Sequence, residues 1–149
     1  MKPMKEALEA ADRTRLIADT VSLIDSEVQR KRGVSGFAIR NGYKVVKKLK
    51  NGRMIEKAVN MLLDDFTGAI APLHDTYREA GASGSFATYL QQHDDEAANA
   101  LLAITDDKAT RAESKVIKKT YNALRPQAVG HVKEALPGLG RMIDQYTRD

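Results

Sequence analysis

In the stretch YKVVKKLKNGRMIEKAV, residues 43–59, two apolar periodicities meet at one turn. Upstream, Ile39, Tyr43, Val46 and Leu49 recur three or four residues apart and share a helix face, with Lys44, Lys47 and Lys48 on the other. Asn51-Gly52 is a strong turn signal. Beyond it, Ile55, Val59, Leu62, Phe66, Ile70, Leu73 and Tyr77 draw a long apolar stripe, interrupted by Gly68 and Pro72. Pro72 removes a backbone donor, so a helix kinked or broken near residues 68–71 is predicted.

The same phrase returns as SKVIKKTYNALRPQAV, residues 114–129. Lys44 to Lys48 align with Lys115 to Lys119, and Ala58-Val59 with Ala128-Val129. Upstream, VSLIDSEV from Val21 lies over LAITDDKA from Leu102, so Asp25 meets Asp106. The shifting offset is absorbed by the glycine-containing insert before Lys44. Self-similarity of this kind points to duplicated architecture. Amphipathic helices rich in Lys, Val and Ala also resemble one another by chance, and that alternative stands beside it. The duplication reading gives a single helical domain over residues 1–149 with two similar halves, about 4–80 and 85–147, related by a pseudo-two-fold axis.

The remaining segments read as helices too. Ile17, Val21, Ile24 and Val28 set a helix that Asp12 can cap and Gly33 can stop. GVSGFAIRNGYK reads as irregular, with Phe37 and Ile39 anchored in the core, and close helix packing is the preferred role for Gly36 and Gly42. GASGS, residues 81–85, is the clearest break. Ser85 can cap a short helix bearing Phe86, Tyr89 and Leu90, and Asp94 or Asp95 the next. Pro126 suits a helix start, and LPGLG suits a helix end before a short terminal helix. No segment alternates with period two, so the expected fold is all-α with seven or eight helices.

Composition bounds the chemistry. The 149 residues suit one domain with a true core. The absence of cysteine removes disulfides, thiolate catalysis and sulfur-bound zinc. No apolar run approaches a membrane span, and the first residues lack a signal-peptide core, so a cytoplasmic location is expected. The basic excess lies entirely in the first half: residues 85–149 carry nine Lys/Arg and nine Asp/Glu. Residues 28–55 hold nine basic side chains and no acidic one, a field that suits an anionic partner.

Arg40, Lys44, Lys47, Lys48 and Arg53 are therefore the first candidate binding residues, with Lys115, Lys118 and Lys119 as a second patch. Such a face can meet a protein or an anionic surface, or track a phosphate backbone with strong salt dependence. The eight aromatics sit mostly at core spacing, so base-stacking platforms are not evident. ALPGLGRMI resembles the hairpin of helix-hairpin-helix DNA-binding motifs, where Gly138 and Gly140 would present backbone N–H groups to phosphate beside Arg141. A plain proline-glycine helix stop explains it as well. His74-Asp75 and HDDE (93–96) lack the paired spacing of metal ligands. No nucleophile elbow or paired carboxylates appear, so neither enzyme activity nor a cofactor is expected. A helical pocket for an apolar ligand is a third reading.

Through VSGFAIRNGYKVVKK, AVNMLLDDF, ALLAITDDKA and HVKEALPGLG the chain resembles a bacterial, mainly actinobacterial, family of small all-helical proteins of unknown function. The resemblance implies a single-domain helical protein over nearly the whole chain and assigns no site residue. The expected function is a non-enzymatic cytoplasmic binding or scaffolding module.

Overall fold

A computed structural model describes residues 1–148, and among them regular structure is helical, with no strand. α1 (Met4–Ala10) and α2 (Arg13–Arg30) lead to α3 (Gly33–Lys47), the single turn α4 (Leu49–Gly52) and the long α5 (Met54–Glu79). After residues 81–85 come α6 (Phe86–Gln92), α7 (Asp94–Thr110), α8 (Lys115–Leu124), a 3-10 turn at Arg125–Gln127 and α9 (Ala128–Thr147). The all-α expectation is borne out.

Local chemistry sets most of the boundaries. Asp12 accepts from the Thr14 N–H at 3.0 Å and opens α2. Ser85 accepts from Thr88 at 3.1 Å and opens α6, and Ser114 accepts from Ile117 at 3.3 Å and opens α8. Each supplies one of the orphan N–H groups of a first turn with a partner. Asp94 and Asp95 do not cap. They lie inside the first turn of α7, where their charge suits the helix dipole, and Asp95 pairs with Lys133 of α9 at 2.5 Å. The Asn51-Gly52 turn is present: Lys50, Asn51 and Gly52 all have positive φ, which makes α4 a left-handed joint rather than a helix.

α5 and α9 form the spine. α1, α2, α6 and α7 each pack against both of them. Leu16, Ile70, Leu73, Tyr77, Phe86, Leu90, Leu136 and Ile143 are buried where these helices meet. α3 packs chiefly on α8, with further contacts to α2 and α5. Neither α3 nor α8 contributes a residue to the central core cluster, so this pair forms an outlying layer.

Several expectations are corrected. GVSGFAIRNGYK is not irregular but forms most of α3. Phe37 is not anchored in the core; it is 60% exposed, on the side of α3 turned away from its neighbours. The break that Pro72 could make is absent: Pro72 lies inside a continuous α5, and Pro137 inside a continuous α9. An internal proline costs about 3 kcal/mol; here the residues on both sides of each proline are held in the core, and that packing keeps the helix continuous.

Gly138 and Gly140 likewise sit within α9, not in a hairpin turn, and no separate terminal helix follows among the described residues. Both are buried. A Cβ on Gly140 would lie 2.3 Å from the Ala87 Cα, and one on Gly138 would lie 2.8 Å from the Leu23 Cδ1. These glycines let α6 and α2 approach α9 closely. Close packing is also the role of Gly36, against the Lys31 backbone, and of Gly42, against Thr120 and Leu124 of α8.

Candidate functional site

The outer face of α3 is the most unusual surface of the protein. At 100° per residue, Val34, Phe37, Asn41, Lys44, Val45 and Lys48 fall within an arc of about 100°. Val34 is 91% exposed, and Phe37 and Val45 are exposed as well. The opposite arc, containing Gly36, Ile39, Gly42, Tyr43 and Val46, faces the rest of the protein and is buried or half-buried. Val116 of α8 is another exposed apolar side chain, so this outlying pair carries four of the five large exposed hydrophobics among the described residues. Chain-wide patterning explains why: α3 has apolar residues on two faces, and only one finds a partner.

The expected cations are placed in different ways. Lys44 and Lys48 are exposed and make no ion pair among the described residues. Lys115, Lys118 and Lys119 are exposed on α8 and equally unpaired there. Because α3 packs on α8, both lysine clusters belong to one two-helix layer. Lys47 is exposed but engaged, pairing with Asp25 of α2 at 3.4 Å and lying over the Tyr43 ring. Arg40 is half-buried and donates to the Lys31 carbonyl, so it holds the α2–α3 joint. Arg53 lines a shallow groove with Ile17, Val21 and Asn60 between α2 and α5. Arg141 is exposed beside another open groove, with Asp19, Glu27 and Arg30 between α2 and α9. The phosphate-hairpin assignment of Gly138, Gly140 and Arg141 is corrected accordingly: the two glycine N–H groups belong to the interior of a helix.

Other titratable groups tie helices together. Lys31 is buried and donates to Glu134 of α9 at 2.9 Å and to the His131 carbonyl at 3.1 Å. That hydrogen bond holds the Glu134 carboxyl below its ordinary range. Asp106 of α7 receives Arg125 at 2.8 and 3.1 Å and the Tyr121 hydroxyl at 2.5 Å. Arg125, then Tyr121, hold the Asp106 carboxyl low. In the first half, Asp25 meets Lys47, and Tyr43 sits four residues before Lys47 just as Tyr121 precedes Arg125. Burial first, and then the charge of Asp25, push the Tyr43 hydroxyl up to about 12. Asp144 is a buried carboxylate on α9 that accepts from the Phe86 N–H at 3.2 Å and so holds the start of α6.

Sequence reasoning missed His74. It is fully buried, edge-on to Phe86 at 4.8 Å between ring centroids and close to Tyr77, and neither ring nitrogen has a hydrogen-bond partner. Burial pushes its pKa below the ordinary imidazole range, aided by Arg78 and opposed by Asp75 and Asp144. A signal existed, because His74 stands four residues after Ile70, on the apolar stripe. His93 is half-buried, stacks on Tyr89 and bonds its carbonyl at 2.9 Å. Among the described residues, no group of three or more His, Asp or Glu is placed to hold a metal ion. No helix there is long and apolar enough to cross a membrane.

The fold and this surface define a helical protein in which five lysines without an ion pair among the described residues and four exposed apolar side chains share one layer. The chain matches the model of a family of unknown function (DUF6918) over residues 4–147 and belongs to that family. No curated protein matches it, and no solved structure matches it.

Proposed function

We propose that this protein is a non-enzymatic binding or scaffolding module that meets an anionic partner through the outer face of α3, with α8 beside it. The observation that carries the reading is the coincidence of unpaired Lys44 and Lys48 with exposed Val34, Phe37 and Val45. Several ionisable side chains elsewhere hold helix to helix, as Lys31, Asp106 and Asp144 do. A cytoplasmic location and a bacterial, mainly actinobacterial, family belong to the same reading.

Internal duplication belongs to it as well. Short helix, long helix, lysine helix and proline-containing long helix follow in the same order in residues 4–79 and 86–147. Each of α1, α2, α6 and α7 touches both spine helices, as an approximate two-fold requires. In this arrangement Tyr43 and Lys47 are equivalent to Tyr121 and Arg125, and Lys47 pairs with Asp25 as Arg125 does with Asp106, although the Tyr43 hydroxyl, unlike that of Tyr121, makes no hydrogen bond among the described residues. Gly42 then meets its own counterpart, Thr120, across the axis. The equivalence runs seven residues, two helical turns, away from the KVVKK-to-KVIKK alignment, so the lysines themselves are not duplicated positions.

Salt elution from an anionic matrix tests the site. Exchanging Lys44, Lys47 and Lys48 for Glu should lower the eluting salt more than the same exchange at Lys5, Lys57 and Arg141. Equal shifts would mean that only net charge matters and would defeat the assignment. DNA or RNA as the partner is the alternative; retention of mixed-sequence duplex with a steep salt slope, abolished by the α3 exchanges, would favour it.

A further inference from the structure

We infer that the anionic partner is a lipid surface, with α3 lying along the headgroup boundary of an anionic bilayer. This rests on the reading of α3 as the binding face and names its partner. Interfacial helices combine a cationic flank with an apolar edge that buries shallowly among headgroups and acyl chains. On α3, Val34, Phe37 and Val45 span about 16 Å of helix length, and Lys44 and Lys48 border Phe37 on the same arc.

Three observations favour lipid over other anionic partners. First, the apolar groups stand on the exposed outside of the α3/α8 layer, Val34 almost wholly exposed. A nucleic-acid backbone rewards the cations of such a face and leaves exposed valines without a role. Second, the five cations of α3, its C-cap and α8 that make no ion pair or side-chain hydrogen bond among the described residues are all lysines, while Arg32 at the N-cap of α3 is held by the Gln29 and Lys31 carbonyls and Arg40 by the Lys31 carbonyl. Protein interfaces are depleted in lysine, and guanidinium is the preferred fork for phosphate recognition. A diffuse anionic surface asks only for point charge on a stem that can run past apolar neighbours. Third, residues 28–55 hold no acidic side chain, so nothing on this element opposes approach to a negative leaflet. The inward arc of α3 is anchored on α8 through Gly42, so the helix is already formed before it meets the surface.

Vesicle co-sedimentation tests this, with phosphatidylcholine alone and with phosphatidylglycerol added. The protein should partition to the anionic vesicles only, less so as salt rises. Each lysine near such a surface contributes about fivefold, so Lys44→Ala with Lys48→Ala should lower partitioning on the order of thirty-fold. Val34→Ser with Phe37→Ser should lower it about tenfold. Lys5→Ala with Arg141→Ala, exposed cations elsewhere, should leave it nearly unchanged. All of these positions are exposed, and circular dichroism checks that each variant folds.

Binding that ignores Val34 and Phe37 overturns the lipid assignment and leaves a purely electrostatic anionic partner. Absence of binding to anionic vesicles overturns it too, while matrix retention that depends on Lys44 and Lys48 keeps the wider reading. Vesicle binding that ignores Lys44 and Lys48 overturns both.

Discussion

Replacing His74 with leucine should remove a specific acid sensitivity from the fold. The imidazole is fully buried and neither nitrogen is hydrogen-bonded, so the folded state disfavours its charged form. The unfolded chain protonates His74 near its ordinary value of 6.5. As pH falls below that value, the unfolded state gains a proton that the folded state does not take up, and stability declines. The slope approaches about 1.4 kcal/mol per pH unit until the depressed folded pKa is reached. Arg78 deepens the depression, and Asp75 and Asp144 limit it. Asp106 and Glu134, also held low, act in the same direction but in a separate window, below their unfolded values near 4. Leucine is close to histidine in volume and leaves no orphan nitrogen. At pH 8 the variant should be as stable as the parent or more so, by about 1–3 kcal/mol. Urea denaturation between pH 8 and 5, followed by far-ultraviolet circular dichroism, measures both. His93 and His131 are present in both proteins, so the difference between the two profiles isolates His74. Parallel profiles, or a loss at pH 8 beyond about 2 kcal/mol, would refute the reasoning, the second by implying a hydrogen-bonded imidazole.

Other perturbations follow from the same contacts. Gly140→Ala drives a Cβ into the Ala87 backbone and should cost about 3 kcal/mol, at the upper end of overpacking, read as a lower urea midpoint. Gly138→Ala meets only the ends of the Leu23 and Glu27 side chains and should cost clearly less; equal losses would contradict the α6–α9 packing. Gly130→Ala, inside α9 with open space around it, should stabilise by about 0.5–1 kcal/mol. Lys31→Met removes a buried charge whose partner Glu134 is exposed. It should change stability by less than about 1 kcal/mol, because Glu134 can be solvated, whereas Lys31→Ala should lose the stem packing and cost more.

Much of the element map was legible because it rests on neighbours in sequence. Asp12, Ser85 and the Asn51-Gly52 turn act within a few residues of themselves, and apolar spacing reports a helix face directly. Prolines and glycines were misread where their meaning depends on distant chain. Pro137-Gly138-Leu139-Gly140 has the composition of a helix stop, but Leu23, Glu27 and Ala87 stand against it and turn it into a packing surface. Phe37 has the composition of a core residue, but α3 has one buried arc and Gly36, Ile39 and Gly42 already occupy it. The candidate site was half legible. Charge density picked out residues 28–55, but local sequence does not separate unpaired Lys44 and Lys48 from Lys47 and Arg40, whose partners Asp25 and Lys31 come from α2 and the α2–α3 joint.

The sequence by itself determined an all-helical chain, the caps at Asp12 and Ser85, the Asn51-Gly52 turn, and a one-sided basic field, since hydrogen bonding and periodicity within a helix are local. Tertiary structure alone decided that α3 and α8 stack outside the central core. It thereby left Val34, Phe37 and Val45 in water beside free lysines. Burial is a property of what the rest of the chain places opposite a face, and no spacing within that face specifies it.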